Sequence, residues 1–178
     1  MTSLAGPRLL LRDFRAADVQ AVHSFAADPV VTRLTDFGPN TPEQSAEFVR
    51  AAVAQARRAH RTAFSLAAEL VETGLVIGSV GIAITSVEHR RGDLGYVLHS
   101  SYWSRGYATE AATLLLGFGR EVLGLHRIEA TCHPDNHASA RVLEKIGMRR
   151  EGRLRGHLLV RGTWRDSLLY AAVGDGAG

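Results

Sequence analysis

Cysteine is nearly absent. Cys132 is the only one in 178 residues, so no disulfide can form within the chain, which suits a reducing compartment. Lysine is as scarce: of 21 basic residues only Lys145 is a lysine. The net charge of +3 therefore rests on arginine, and it admits nucleic acid, an acidic partner or an anionic ligand without choosing between them. Long apolar runs are missing too. The longest, Leu75–Ile84, is broken by Gly78 and Gly81 and is far too short to span a bilayer. Met1–Arg8 has no signal-peptide pattern. No expected helix carries a histidine four residues from an acid, so no metal is expected. The absences together point to a soluble cytoplasmic protein with no membrane partner.

With 46% apolar and 22% charged residues the composition is that of an ordinary globular protein. The length fits one domain over 1–178, with 174–178 as a loose tail. The richest stretch is Asp93–Ala112. Leu94, Tyr96 and Leu98 alternate with Asp93, Gly95 and Val97, which is the period of a strand. Ala111, Ala112, Leu115, Phe118 and Val122 then follow helical spacing, with Glu110 in the first turn. The junction is Arg105-Gly-Tyr-Ala108. A strand opening into a helix through small residues leaves backbone N–H groups aimed outward, and these donors favour a bound phosphate. Bulk at Gly106 or Ala108 would hold a pyrophosphate away from the main chain. An ordinary strand–turn–helix corner fits the same spacing.

The rest of the chain reads in order. Leu9–Phe14 is a strand, and Asp18 is placed to cap a helix over Val19, Val22, Phe25 and Ala26, which Pro29 stops. A loop covers 32–39. Thr41 caps a helix over Pro42–Ala59. Strands follow at Ala63–Leu70 and Leu75–Ile84, joined by a hairpin-like turn at 71–74. After the helix that ends near Gly124, His126–His133 alternates cleanly: Ile128, Ala130 and Cys132 on one face, Arg127, Glu129, Thr131 and His133 on the other. Asn136 opens a helix striped by Ala140, Leu143 and Ile146, and Gly147 suits its left-handed cap. Arg149–Val160 and Trp164–Val173 close the chain as strands. The arginine clusters at 57–61 and 149–155 read as solvated faces or helix C-caps. The fold class is therefore α+β: a mixed, mostly antiparallel sheet with a central parallel strand pair, made by a right-handed crossover, flanked by helices.

Five blocks carry a family resemblance: Leu94–Leu98, Tyr102–Ala111, Pro134–Ser139, Arg141–Met148 and Gly162–Asp166. In register they resemble the GNAT acyl-coenzyme A N-acyltransferases, and within these the Rim-type branch of ribosomal-protein N-terminal acetyltransferases. The resemblance implies acetyl-CoA as cosubstrate, its pyrophosphate on the backbone of Arg105, Gly106, Tyr107, Ala108 and Thr109. It implies that the strand end at Val97 and Leu98 pairs with the pantetheine arm, and that Asn136 hydrogen-bonds that arm. Many members have a general-acid tyrosine seven residues after the asparagine; Leu143 stands there, which removes that mechanism. In the Rim-like branch a serine three residues after the asparagine lies near the thiol, and Ser139 matches it. Trp103 stands three residues before the central glycine, as is usual for that branch.

Acyl transfer to an amine needs a neutral nitrogen, a polarised thioester and a proton for the leaving thiolate. Ser139 is the candidate donor to sulfur, with capping of its own helix as the alternative. Asn136 has a similar alternative as N-cap. Asp93 is the first candidate base, with an exposed strand-end aspartate as the alternative; Glu129 and His133 share a face from which either could relay a proton, His99 and Glu151 are weaker, and for an α-amino group water suffices. Tyr102, Trp103 and Trp164 read by default as packing, and Cys132 as a buried apolar residue. The expected function is acetyl transfer from acetyl-CoA to a primary amine, a protein N-terminal α-amine among the candidates. A polyamine or antibiotic acetyltransferase and a non-catalytic acyl-CoA sensor are the alternatives. A nucleic-acid binder is disfavoured, because the aromatics are not interleaved with the arginines. A homodimer through the last strands stays open.

Overall fold

Along Phe64–Ala68 the side chains alternate between two separate cores, so the strand they form is covered on both faces. Leu66 and Ala68 join one apolar cluster, while Ala67 joins another with Phe14, Val22, Phe25 and Val49. The computed structural model describes residues 1–174; the remainder of the expected tail, from Asp175 on, lies outside the described residues. The strands are β1 (Ser3–Ala5), β2 (Leu9–Asp13), β3 (Ala63–Leu70), β4 (Val76–Ser86), β5 (Arg91–Leu98), β6 (Arg127–Cys132), β7 (Arg149–Val160) and β8 (Thr163–Val173). The helices are α1 (Val19–Ala26), α2 (Pro29–Thr32), α3 (Pro42–Ala56), α4 (Tyr107–Glu121) and α5 (His137–Lys145). The strands make one sheet in the order β1-β2-β3-β4-β5-β6-β8-β7. All neighbours are antiparallel except β5 and β6. The mixed, mostly antiparallel sheet with a parallel centre agrees with the expectation from sequence.

Helices α1 and α3 pack on one face of the sheet, and α4 lies on the other against β2, β4 and β5. Helix α4 comes close because Gly119 faces the sheet: a Cβ there would meet Ile82 Cδ1 and Ile128 Cδ1, each at 2.6 Å. The stripe Ala111, Ala112, Leu115 and Leu116 fills the rest of that contact. Helix α3 starts where Thr41 predicts it. The Thr41 hydroxyl accepts from Gln44 N, and the Gln44 side chain accepts from Thr41 N at 2.8 Å, a reciprocal cap that satisfies two otherwise unpaired donors.

Several local expectations are corrected. Asp18 does not cap α1 with its side chain; its carboxylate instead takes Arg12 Nη1 at 2.8 Å and Arg15 N at 2.7 Å. Burial works upward on the Asp18 pKa, and the hydrogen bonds from Arg12 and Arg15 outweigh it and hold the group low. Pro29 does not simply stop a helix, since it opens α2 with Asp28 as a side-chain cap. Helix α3 ends at Ala56, not Ala59, and β1 adds an edge strand. Arg61 is not part of a solvated face: its side chain is buried and pairs with Asp13 at 2.7 Å.

Candidate active site

The parallel pair at the centre is short. Arg91, Gly92 and Asp93 pair with Arg127, Ile128 and Glu129, and there the ladder stops. Beyond it β5 follows β4 as far as Leu98, while β6 follows β8 as far as Cys132, so the two strands part. The His99 N–H donates to Ile77 O of β4 at 2.8 Å. Backbone groups alternate along a strand, so Val97 also points its N–H and C=O at β4, while Tyr96 and Leu98 turn theirs toward the gap. The Leu98 carbonyl accepts from the Trp103 indole Nε1 at 2.8 Å. A cavity of about 760 Å³ opens along the same strands. Its lining includes Asp93, Tyr96, Val97, Asn136 and Ser139.

At the end of β5 the chain turns through Ser100–Tyr102 and enters α4 at Gly106, which holds φ +81°. Glu110 N closes the first helical turn on Gly106 O at 3.0 Å. The amides of Tyr107, Ala108 and Thr109 precede it and have no side-chain cap, as expected of a helix start that holds an anion. The Glu110 carboxylate is turned the other way, accepting from Arg8 Nε at 2.8 Å, Arg8 N at 2.8 Å and Leu9 N at 3.0 Å. Burial raises the Glu110 pKa, but these donors prevail and lower it. Arg8 also donates to Arg105 O at 2.9 Å and lies over the Tyr107 ring at 4.5 Å. Arg105 itself is exposed, 5.7 Å over Tyr102. A Cβ at Gly106 would stand 3.3 Å from Arg8 Nη2. Bare amides, a left-handed glycine and flanking arginines fit a diphosphate chemically.

On the other side of the gap, Asn136 Oδ1 accepts from Ser139 N at 3.0 Å and caps α5. The Ser139 hydroxyl is thereby not the cap; it lies 2.9 Å from the phenol oxygen of Tyr96. Leu143 is buried beside them. Among the candidate bases, Glu129 is held by Arg127 at 2.7 Å and Arg91 at 3.1 Å, and Glu151 is ion-paired to Arg127. His133 accepts from Asp135 N, and His99 from Ser101 N. Asp93 is the exception: no other described residue hydrogen-bonds to its carboxylate. It reaches solvent through the cavity. Its pKa is raised, first by the desolvating walls and then by neighbouring Glu129, against the pull of its own backbone N–H.

The far wall of the cavity is the 34–37 loop. Two arginines of the β7–β8 hairpin hold it. Arg161 donates to the carbonyls of Thr32, Phe37 and Gly38, and Arg165 to those of Arg33 and Thr35. Trp164, between them, is 66% exposed, so its default reading as packing is wrong. Tyr102 does pack against the main core, and Cys132 is buried as expected.

The model of the acetyltransferase (GNAT) domain matches residues 8–149. The chain belongs to the GNAT acetyltransferase family. YnaD, an uncharacterised N-acetyltransferase of Bacillus subtilis, is 35% identical over 166 residues, 93% of this chain and 94% of that protein. The solved GNAT-family acetyltransferase of Bacillus anthracis superposes with a TM-score of 0.86 at 32% identity, covering 97% of this chain and 98% of that one. Mycobacterium smegmatis RimJ, solved in complex with CoA-disulfide, gives a TM-score of 0.83 at 29% identity, covering 97% of this chain and 87% of that one. The protein is thus an N-acetyltransferase of GNAT type with Rim-like relatives, and GNAT acetyltransferases use acetyl-CoA.

Two features of this GNAT site escaped the sequence reading. Tyr96 shows in the sequence only the period of a strand residue, although that position faces the helix that carries Ser139. The Arg8–Glu110 pair joins residues 102 apart, and no local pattern announces it.

Proposed function

We propose that the protein acetylates a primary amine from acetyl-CoA, and that the acceptor is a protein N-terminal α-amino group. The observation that carries the reading is the parting of β5 and β6 between a helix start with bare amides and the Ser139 hydroxyl. In this reading the amides of Gly106–Thr109 and Arg105 hold the pyrophosphate. The Leu98 strand end meets the pantetheine arm, and Asn136 lies alongside. The bound thioester supplies an activated acetyl group and the chain supplies the rest. Ser139 donates toward the leaving sulfur. Asp93, its pKa raised, accepts the proton the amine sheds; an α-amino group with a pKa of about 8 keeps a useful neutral fraction near pH 7. Val97 turns its backbone to β4 and the Leu98 carbonyl is held by Trp103, which leaves the Leu98 N–H as the main-chain group of that pair offered to the arm.

The acceptor class draws support from the [ribosomal protein uS5]-alanine N-acetyltransferase of Escherichia coli, 33% identical over 78 residues, 44% of this chain. The cavity, open along one side and walled by a strapped loop, suits an extended chain terminus. Thiol release measured with an amine panel tests the reading. Peptides beginning with Ala or Ser should turn over with kcat/KM at least about 100-fold above spermidine and kanamycin, a discrimination of about 3 kcal/mol. The reverse ranking would make the protein a small-amine acetyltransferase.

A further inference from the structure

Tyr96 enters the β5–β6 gap with no part in the chemistry set out so far. Its phenol lies 2.9 Å from Ser139 Oγ, where either hydroxyl can be the donor, and 3.2 Å from the Ser139 carbonyl oxygen, which can only accept. That carbonyl lies in the first turn of α5, where the helix ladder directs the Leu143 N–H onto it. The hydroxyl–hydroxyl contact is the shorter, and among the described residues it is the only hydrogen bond the Ser139 hydroxyl makes. The usual fate of a helical serine, donation back to a carbonyl in the preceding turn, is not taken. We propose that Tyr96 is a positioning residue that donates its phenolic proton to Ser139 Oγ and so leaves the serine's own O–H to turn into the gap, toward the leaving sulfur. The inference rests on the role given above to Ser139.

A tyrosine has one proton to give, as does a serine. When the phenol gives its proton to Oγ, the serine proton must go elsewhere, and the open direction is the gap. Burial pushes the Tyr96 pKa far up, with the Ser139 hydrogen bond only partly opposing, so the phenol stays protonated and remains a donor. In the transfer a carbon–nitrogen bond forms, the carbon–sulfur bond breaks and the sulfur keeps the electron pair. The Ser139 O–H bonds to that developing charge. The amine's proton leaves to Asp93 or water, and the freed thiolate takes one from water; Tyr96 gives up none.

Tyr96→Phe keeps the ring and removes the proton. It should lower kcat about tenfold, the worth of one hydrogen bond, with KM for acetyl-CoA, Kd for CoA and Tm nearly unchanged. A merely structural loss would be the same for every acyl donor. Here the loss should vanish with an acetyl thioester of an acidic aryl thiol, whose leaving group needs no hydrogen bond, and Ser139→Ala should show the same rescue. The double variant should be no slower than Ser139→Ala. Replacing Tyr96 by 3,5-difluorotyrosine, a stronger donor of the same shape, should hold or raise kcat, and this arm stands even if Tyr96→Phe folds poorly. A Tyr96→Phe protein as fast as the parent or faster, or a loss equal for both thioesters, overturns the inference alone if Ser139→Ala is impaired. A fully active Ser139→Ala removes the serine role and the inference with it. No thiol release by the unaltered protein with any amine removes the functional reading itself.

Discussion

Gly106 sits in a left-handed conformation that a side chain enters only with strain. Gly106→Val should cost about 1–2 kcal/mol of stability, leaving a folded protein. Its larger effect should be on the ligand, because the new methyls stand between the α4 amides and any phosphate. Calorimetry should show CoA affinity at least about tenfold weaker. Asp93 gives a pH test. A carboxylate whose folded pKa is raised favours the fold while protonated, and loses that advantage as pH rises from the unfolded value of 3.8 through the folded one. Asp93→Asn should therefore melt higher than the parent at pH 7 and equal to it below pH 3.8, while its kcat falls. The parent's activity should drop as the pH falls through the raised pKa, a limb that Asp93→Asn should lack. At this scale Asn136, Gly106 and Gly147 were legible, because caps and left-handed turns demand particular residue types wherever they occur. The Tyr96–Ser139 contact was not, because it depends on how far α5 leans toward β5.

Among the elements, the β7–β8 hairpin reaches furthest from its own neighbourhood. Arg161 and Arg165 spend their guanidinium donors on carbonyls of 32–38, a segment with little hydrogen bonding of its own beyond Thr35. Since that segment walls the cavity, removing both arginines should free the wall without touching the α4 start. Arg161→Ala with Arg165→Ala is expected to raise KM for the amine acceptor about tenfold and leave KM for acetyl-CoA unchanged, with faster amide exchange confined to 32–38. Strand and helix identities were readable from period: Leu94, Tyr96 and Leu98 announce β5, and Ala111, Leu115 and Phe118 announce α4. Helix ends were less so. Helix α3 stops at Ala56 because Arg57 caps it with its own backbone, which leaves no residue signature, and Asp18 was misread because a buried Arg12 competes for its carboxylate.

For the molecule as a whole, a ligand that binds the folded state alone must raise its stability. CoA at 100 times its Kd should add about 2.7 kcal/mol, read as an upward shift in Tm that Gly106→Val largely loses. The sheet's composition was legible in the sequence and its strand order only in part. The crossover through α4 implied that β5 and β6 are parallel neighbours, but nothing local says that β8, not β7, lies against β6.

One consequence follows from how little joins β5 to β6. Five strands make one blade and three the other, and a weld three residues long holds them edge to edge. The backbone ladder is therefore short beside the proposed site. Cargo seated across the opening would act as a splint, so the empty protein should open along that line more readily than the loaded one, and a protease or a pulling force should find the seam sooner in its absence.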